Sequence, residues 1–580
     1  MMKNKQGYVL IYVLGVIAVV LLLTATLTNF TLRRATNINR NVYTNKDILA
    51  AEAKVEAASM ALINIFNREN CEEVVDYQTC VSQKSVEPLS VKFDRLNTDF
   101  NIIVENYGVS IEPVILEEQN QGNHILQYRI SSTVNKQTVE RDFYITNIPS
   151  FFLLALGSNK DINLYGGGIY INGDVYTKEE LNVSNHLHYI QELAFNDEVK
   201  THDMVEFSPN KRLYVDNGKI NSCYAAVNND LFNCYGYDEI NKLFYKEGFF
   251  PVTSNSEYKQ TFAGSAPIQL SYDQKFLDVN VDRSFNYYLK DAVPGSQDLG
   301  TETDQIINQL NNSTYVYTTT YLDDLDTRYI DQAIFIKPGS DQKAMITKNF
   351  GINDTEKKWI IVDGDLEISN KSFNSLKVQA NFLVTGNLKI QGLVEFDSVI
   401  YTLNRSLTAE KYGQSVIDSA IIKPLEDKDI HRQLILISKG NLQFTKINTL
   451  NNTLSSKADI EGFFYTESKI ELYAVASNIY LRGGLFAGGN TTTDETYVTD
   501  NGELIPHIDV SDPNQDFGLM ISAYKGRVEY DGTEFTFTPG YTRSSFRLYI
   551  EHSQDIIKEQ PYGIPIDFRF NYIFDDVTIK

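Results

Sequence analysis

Four groups of residues have types and spacings that could do chemistry. His186, His188 and His202 with Asp203 could ligate a metal, because histidines two apart on a strand point the same way. On a loop or helix the same residues are ordinary exposed polar side chains. Asp512, Asn514 and Asp516 open like a calcium loop. Phe517 stands where that loop needs glycine and Ala523 where it needs glutamate, which excludes an EF-hand and leaves only a looser calcium site open. Asp323, Asp324 and Asp326 read as a solvated acidic turn. Asp363 and Asp365 flank Gly364 and could supply two carboxylates, yet Asp-Gly-Asp is also common turn chemistry. The chain has no phosphate-binding P-loop, no HExxH and no GxSxG. The expectation is no catalytic residue, no bound metal and no cofactor.

The four cysteines fall into two close pairs, Cys71 with Cys80 and Cys223 with Cys234. These spacings fit two local disulfides of an exported protein, with free thiols as the alternative; they are not metal-binding CxxC pairs. Acidic residues outnumber basic ones, 75 to 52, and the net charge of −23 repels phosphate backbones. That argues against a broad nucleic-acid surface. Thirty-six tyrosines and 32 phenylalanines, with abundant Asn and Thr, favour strands and turns over helices.

The elements that would carry such groups begin with a membrane segment. The sequence opens MMKNKQGYVLIYVLGVIAVVLLLTATLTNF, and residues 8–30 carry no charge and no proline. About 20 such residues cross a bilayer as a helix. Beyond Arg33 and Arg34, Ile48, Ala51, Val55, Ala58 and Leu62 recur at helical steps, so one helix is expected over 8–67. It is apolar all round at first and amphipathic afterwards.

Leader, helix and the phrase ILAAEAKVEAASMAL together resemble a type IV pilin, and the AAEA segment resembles PilX-like minor pilins of the pilus-assembly class. The resemblance spans residues 1–65. It implies a leader at 1–7 cut by a prepilin peptidase after Gly7, with an N-methylated Tyr8 as the new terminus. The precursor would be a single-pass membrane protein exported to the cell surface or to a filament. Shaft pilins carry glutamate at the fifth mature position, which here is Tyr12. By the resemblance this points to a minor pilin at a filament tip, acting in assembly initiation or adhesion. Its partners would be other pilins and minor pilins, with a surface or glycan as ligand of the head. The rivals are a plain signal-anchored scaffold and a membrane-anchored glycan-active enzyme.

Past the helix, residues 68–150 read as a β meander: VSIEPVILEE, HILQYRISSTV and TVERDFYITNI alternate apolar and polar residues. A glycine-centred phrase then recurs at Gly364 (VDGDLEI), Gly386 (VTGNLKI) and Gly440 (SKGNLQF), with looser copies at Gly173, Gly462 and Gly484. Several intervals are 22 residues, about one coil of a parallel β-helix-like solenoid. A β-sandwich with evenly spaced hairpins is the alternative. The second position after each glycine should face a core: Val175, Leu366, Leu388, Leu442, Phe464 and Phe486.

The fold class expected is therefore mainly β behind a long N-terminal α-helix. The solenoid would start at 151–177 and resume at 356–500, with an insertion or second lobe at 178–355. The insertion would hold helices at TKEELNVSNHLHYIQELAFN and TETDQIINQLNN. Residues 501–580 would form a C-terminal β unit capping the open coil. Such coils also resemble those of polysaccharide lyases and hydrolases. The copies at Gly386 and Gly440 lose the aspartate that precedes Gly364, however, so no acid–base pair is identified.

Overall fold

The computed structural model describes residues 44–69, 89–117, 125–146 and 149–579, the last range with breaks, the longest at 225–233, 271–278, 293–302, 326–333, 506–516 and 554–562. Gly7, Tyr8, Tyr12, Cys71, Cys80, His188, His202, Asp326, Asp512, Asn514 and Asp516 lie outside the described residues, as does the apolar run 8–30. No helix among the described residues is long and apolar enough to cross a membrane. Strand predominates over helix, and the chain divides into two compact units: Met1–Asn147 with Phe568–Lys580, and Ile148–Asp567.

In the first unit, helix α1 (residues 44–69) buries Ala51, Val55, Ala58, Leu62 and Phe66 completely. Steps of three and four residues put these side chains on one stripe. They pack against an antiparallel sheet of β1 (Ser110–Glu117), β2 (Ile125–Val134) and β3 (Gln137–Thr146). Asn135 and Lys136 both have positive φ, 48° and 81°, as the tight turn between β2 and β3 requires. Two parts of this unit depart from the expected meander. Helix α2 (Leu89–Tyr107) adds Leu96, Phe100 and Ile103 to the core, and the chain's last strands, Asn571–Phe574 and Thr578–Ile579, pair with β3.

The second unit opens with β4 (Leu156–Ser158), β5 (Asp161–Tyr165), β6 (Ile169–Asn172), β7 (Val175–Thr177) and β8 (Glu180–Ser184). Towards its end come β9 (Ile460–Thr466), β10 (Ile470–Ala474), β11 (Ile479–Ala487), β12 (Phe517–Ala523) and β13 (Leu548–Glu551). The strands between them are named by range. All join one large sheet in which neighbours run parallel along three ladders. The first passes from Trp359–Val362 through Asn381–Val384, Ser398–Thr402, Leu434–Ser438, β9 and β11 to β4, β7 and Arg212–Val215. The second passes from Asp365–Ser369 through Leu388–Phe396, Gln414–Asp427, Asn441–Thr445, β10 and β12 to β5, β8 and Lys219–Cys223. The third links Leu376–Val378, the later parts of Leu388–Phe396 and Gln414–Asp427, then β9, β11, β13, β6 and Glu206–Phe207.

The ladders revise the expected boundaries. Strands within 178–355, such as β8 and Arg212–Val215, belong to the same ladders. TKEELNVSNHLHYIQELAFN contains β8 and shorter strands instead of a helix. Of the described C-terminal residues, β12 and β13 lie inside the stack, with earlier strands on both sides. One end of the core is covered by helix α3 (Asn255–Thr261) and its flanks, where Val252, Tyr258 and Ala266 pack on the core and Phe262 meets Phe207 edge-on at 5.4 Å. Leu322 and Leu325 pack on the core as well. Apolar side chains from short local segments thus hide core that would otherwise face water.

The repeat holds best at Gly364 and Gly386, where Leu366 pairs with Leu388 and Ile368 with Ile390. The Gly386 amide donates to the Gly364 carbonyl at 3.0 Å, and a Cβ at 386 would overlap the Asp365 carboxylate, so glycine is required there. Val175, Leu366, Leu388, Leu442 and Phe464 lie in the main core. Phe486 does not. Gly462 pairs with Gly483, not Gly484, so Leu485 faces the core and Phe486 faces outward. A one-residue slip reverses which face a side chain takes.

The outward face of the first ladder is also apolar and is covered. Helix α4 (Val281–Ala292) lies across it: Tyr288 packs on Trp359 at 4.8 Å and Tyr401 at 5.7 Å, and the Val281 amide donates to Glu467 at 2.7 Å. Helix α5 (Thr303–Leu310) follows, with Thr303 hydrogen-bonded to Asn286 of α4. Coverage on both sides explains why Trp359–Val362 and Leu434–Ser438 read as unbroken apolar runs.

Candidate functional site

Among the described residues, the sequence-derived candidates are held in separate structural contacts. His186 is fully buried and its amide donates to Ser184 Oγ, whereas Asp203 accepts from Lys525 Nζ at 2.7 Å. Among the described residues no group of three or more His, Cys, Asp or Glu side chains could hold a metal ion. Asp365 accepts the Asn387 amide at 2.7 Å and Asp363 accepts the Thr385 hydroxyl at 3.3 Å, so each carboxylate secures the next turn of the stack. Burial raises the Asp365 pKa above the usual range, opposed by the Asn387 hydrogen bond and by Lys343. Asp323 accepts the Thr347 and Lys348 amides at 2.8 and 3.0 Å and anchors a turn that was expected to be merely solvated.

Cys223 and Cys234 form a disulfide with Cα atoms 5.8 Å apart. Both are buried with Tyr165, Leu187, Phe517 and Met520 in a second apolar cluster. Beside it, Asn221 donates to Asn182 at 2.9 Å and Asn182 donates to Asn163 at 2.8 Å, a stack of amides along the second ladder.

Two surfaces stand out by the side chains they present. The first is α1, whose buried stripe fixes the helix on its sheet while Leu49 and Met60 remain exposed on the far side. Eleven residues separate them, about three helical turns, so they share a face. Arg141 of β3 reaches Glu56 of α1 at 2.8 Å and ties the helix to the sheet.

The second is the outward face of the third ladder, which sequence reasoning missed. Lys377, Glu395 and Lys423 succeed one another across neighbouring strands. Ile422 pairs with Ile460, which brings Lys423 level with Glu461; Arg482, Glu551 and Asn172 follow. Charge therefore alternates over six positions, Lys377 to Glu551, with Lys377–Glu395 at 3.7 Å and Glu461–Arg482 at 3.3 Å.

A parallel column two residues earlier holds Tyr480, Tyr549, Tyr170 and Glu206. Tyr170 and Tyr549 stack at 5.0 Å, and the Arg543 guanidinium lies over Tyr170 at 4.9 Å while bonding Glu206. The Tyr480 hydroxyl donates to Glu551 at 2.6 Å, and burial, then Glu551, push its pKa up. This face can hydrogen-bond and offer ring edges. The only sequence signal for it was the strand-spaced pairs Tyr-x-Arg and Tyr-x-Glu at 480–482 and 549–551.

No family model matches the chain, and no curated protein matches it. Among solved structures the chain is similar to the competence-associated pilin ComZ from Thermus thermophilus, with a TM-score of 0.25 and 10% identity over 81% of this chain and 83% of that one.

Proposed function

We propose that this chain is a minor pilin-like surface protein, anchored by residues 8–30 and carrying its large second unit on the filament tip. One observation carries the reading: α1, which follows the apolar run in the sequence, lays Ala51, Val55, Ala58, Leu62 and Phe66 on the antiparallel sheet of the first unit. An assembly helix whose distal half belongs to a head is the arrangement that the opening sequence resembles. Tyr12 in place of the shaft glutamate, together with the bulk of the second unit, favours the tip over the shaft.

The three parallel ladders support reading the second unit as a parallel β-helix. Its Tyr480–Tyr549–Tyr170 face, with Glu551 and Arg482 beside it, is the surface we read as contacting a glycan, another surface or a neighbouring minor pilin. Asp363 and Asp365 are engaged in turn contacts, which favours a binding role over an enzymatic one.

Mass spectrometry of the mature amino terminus tests the proposal. N-methyl-Tyr8 is expected. A retained Met1, or a cut after Ala25, overturns it.

A further inference from the structure

The order of strands in the stack is not the order of strands in the chain. From Trp359 to Ala487 successive strands climb each ladder in sequence order. Next in space comes the pair β12 and β13, and only then β4, β5 and β6 from the start of the unit. β12 is hydrogen-bonded to β10 on one side and β5 on the other; β13 lies likewise between β11 and β6. Residues 517–551 thus supply two sides of the one layer that joins an early part-stack to a late one. The third side is short, with Leu485–Ala487 of β11 pairing directly with β4.

We infer that residues 517–551 are the closing piece of the second unit: two part-stacks order separately, and insertion of this segment joins them last. Within each part-stack, partners are near in sequence. Leu366 meets Leu388, and Ile162 meets Leu181. At the junction, Leu519 must find Ile162 and Leu548 must find Ile169, each more than 350 residues away. Closing so long a loop costs more entropy than closing one of about 20 residues, and local pairings form first.

The closing segment also carries the side chains that complete the core at the junction, Leu519, Ile521, Leu548 and Ile550. Its loop brings Lys525 to Asp203 and Arg543 to Glu206, two ion pairs that fasten the C-terminal segment to the early part-stack. Buried Arg547 donates to the carbonyls of Gly526 and Asn451 and to Asn452, which fastens it to the late one. The inference does not depend on the pilin reading.

Pulse-labelled hydrogen exchange during refolding of the full-length chain in detergent micelles tests it. Amides of Trp359–Val362 through Asn441–Thr445 should gain protection at least about tenfold faster than those of β12 and β13. Gly518→Val, whose side chain would overlap Ser158 of β4, should slow only the late phase. Protection of β12 and β13 in the same phase as residues 359–445 overturns the inference, as does a valine variant that slows both phases equally.

Discussion

Gly157 faces Phe486 across neighbouring strands, and a Cβ at 157 would overlap the Phe486 ring. The ring has nowhere to retreat. It stacks on Tyr465 at 5.6 Å with planes 2° apart, and Phe151 closes the other approach at 6.2 Å. Gly157→Ala should therefore destabilise the second unit by about 1–3 kcal/mol, the usual cost of overpacking. Combining it with Phe486→Ala should cost less than the two single changes added together, read by thermal denaturation of all three variants.

In the first unit, Phe66 stacks on Tyr572 at 5.0 Å and meets Phe100 edge-on at 6.5 Å. Phe66→Ala should cost about 3–5 kcal/mol, because a buried ring leaves a cavity among aromatic neighbours. Chemical denaturation followed by exchange of the β2 and β3 amides would read the loss. Protection in the second unit should stay unchanged.

The disulfide offers a third test. Cys223 and Cys234 enclose a short loop, so replacing both by serine should cost about 2–3 kcal/mol. Because both sulfurs are buried, reductant should act slowly on the native protein and quickly above its melting transition. Thiol labelling against temperature distinguishes the two regimes.

Asp365 and Asp459 carry a pH signature. Burial is the largest cause of each raised pKa, so each folded value lies above its unfolded value. Between the two values the folded state binds more protons, so stability rises as pH falls through the folded pKa and the penalty of the buried charge is relieved. Asp365→Asn keeps an acceptor for the Asn387 amide and removes the charge. It should flatten the stability profile just above the ordinary carboxylate range without loss at neutral pH, as measured by urea denaturation across pH.

How far the sequence led can be judged at particular residues. The step from Leu366 to Leu388 was legible because both follow the same glycine corner. The gap from Gly386 to Gly440 was not, because Lys389 pairs with Val416 and Val416 with Gln443, wider steps that carry no repeated phrase. A single-residue misplacement at Gly483 put Phe486 on the wrong face. Helix α2 was hidden because Leu96, Phe100 and Ile103 fall in a polar stretch that is dominated by its neighbouring strands. Beyond the local pairs Tyr480-x-Arg482 and Tyr549-x-Glu551, the tyrosine and alternating-charge columns could not be read. Their members sit on strands from distant parts of the chain, and register alone brings them level.

The interleaved layer also decides how the second unit would bear load. The chain enters at Phe151 and Phe152, which pack on Tyr465 and Phe463, and leaves near Gly563 and Ile564, which accept from Tyr401 and Tyr288. Tyr401, Ile437 and Tyr465 are successive positions on one ladder, each step about 4.8 Å. Entry and exit thus grip the flank of the stack a few steps apart, not its ends. A pull on the two ends of the second unit would shear those few strands together, while Ile268–Leu270 and Val316–Thr318 stay outside the line of force and are not peeled away.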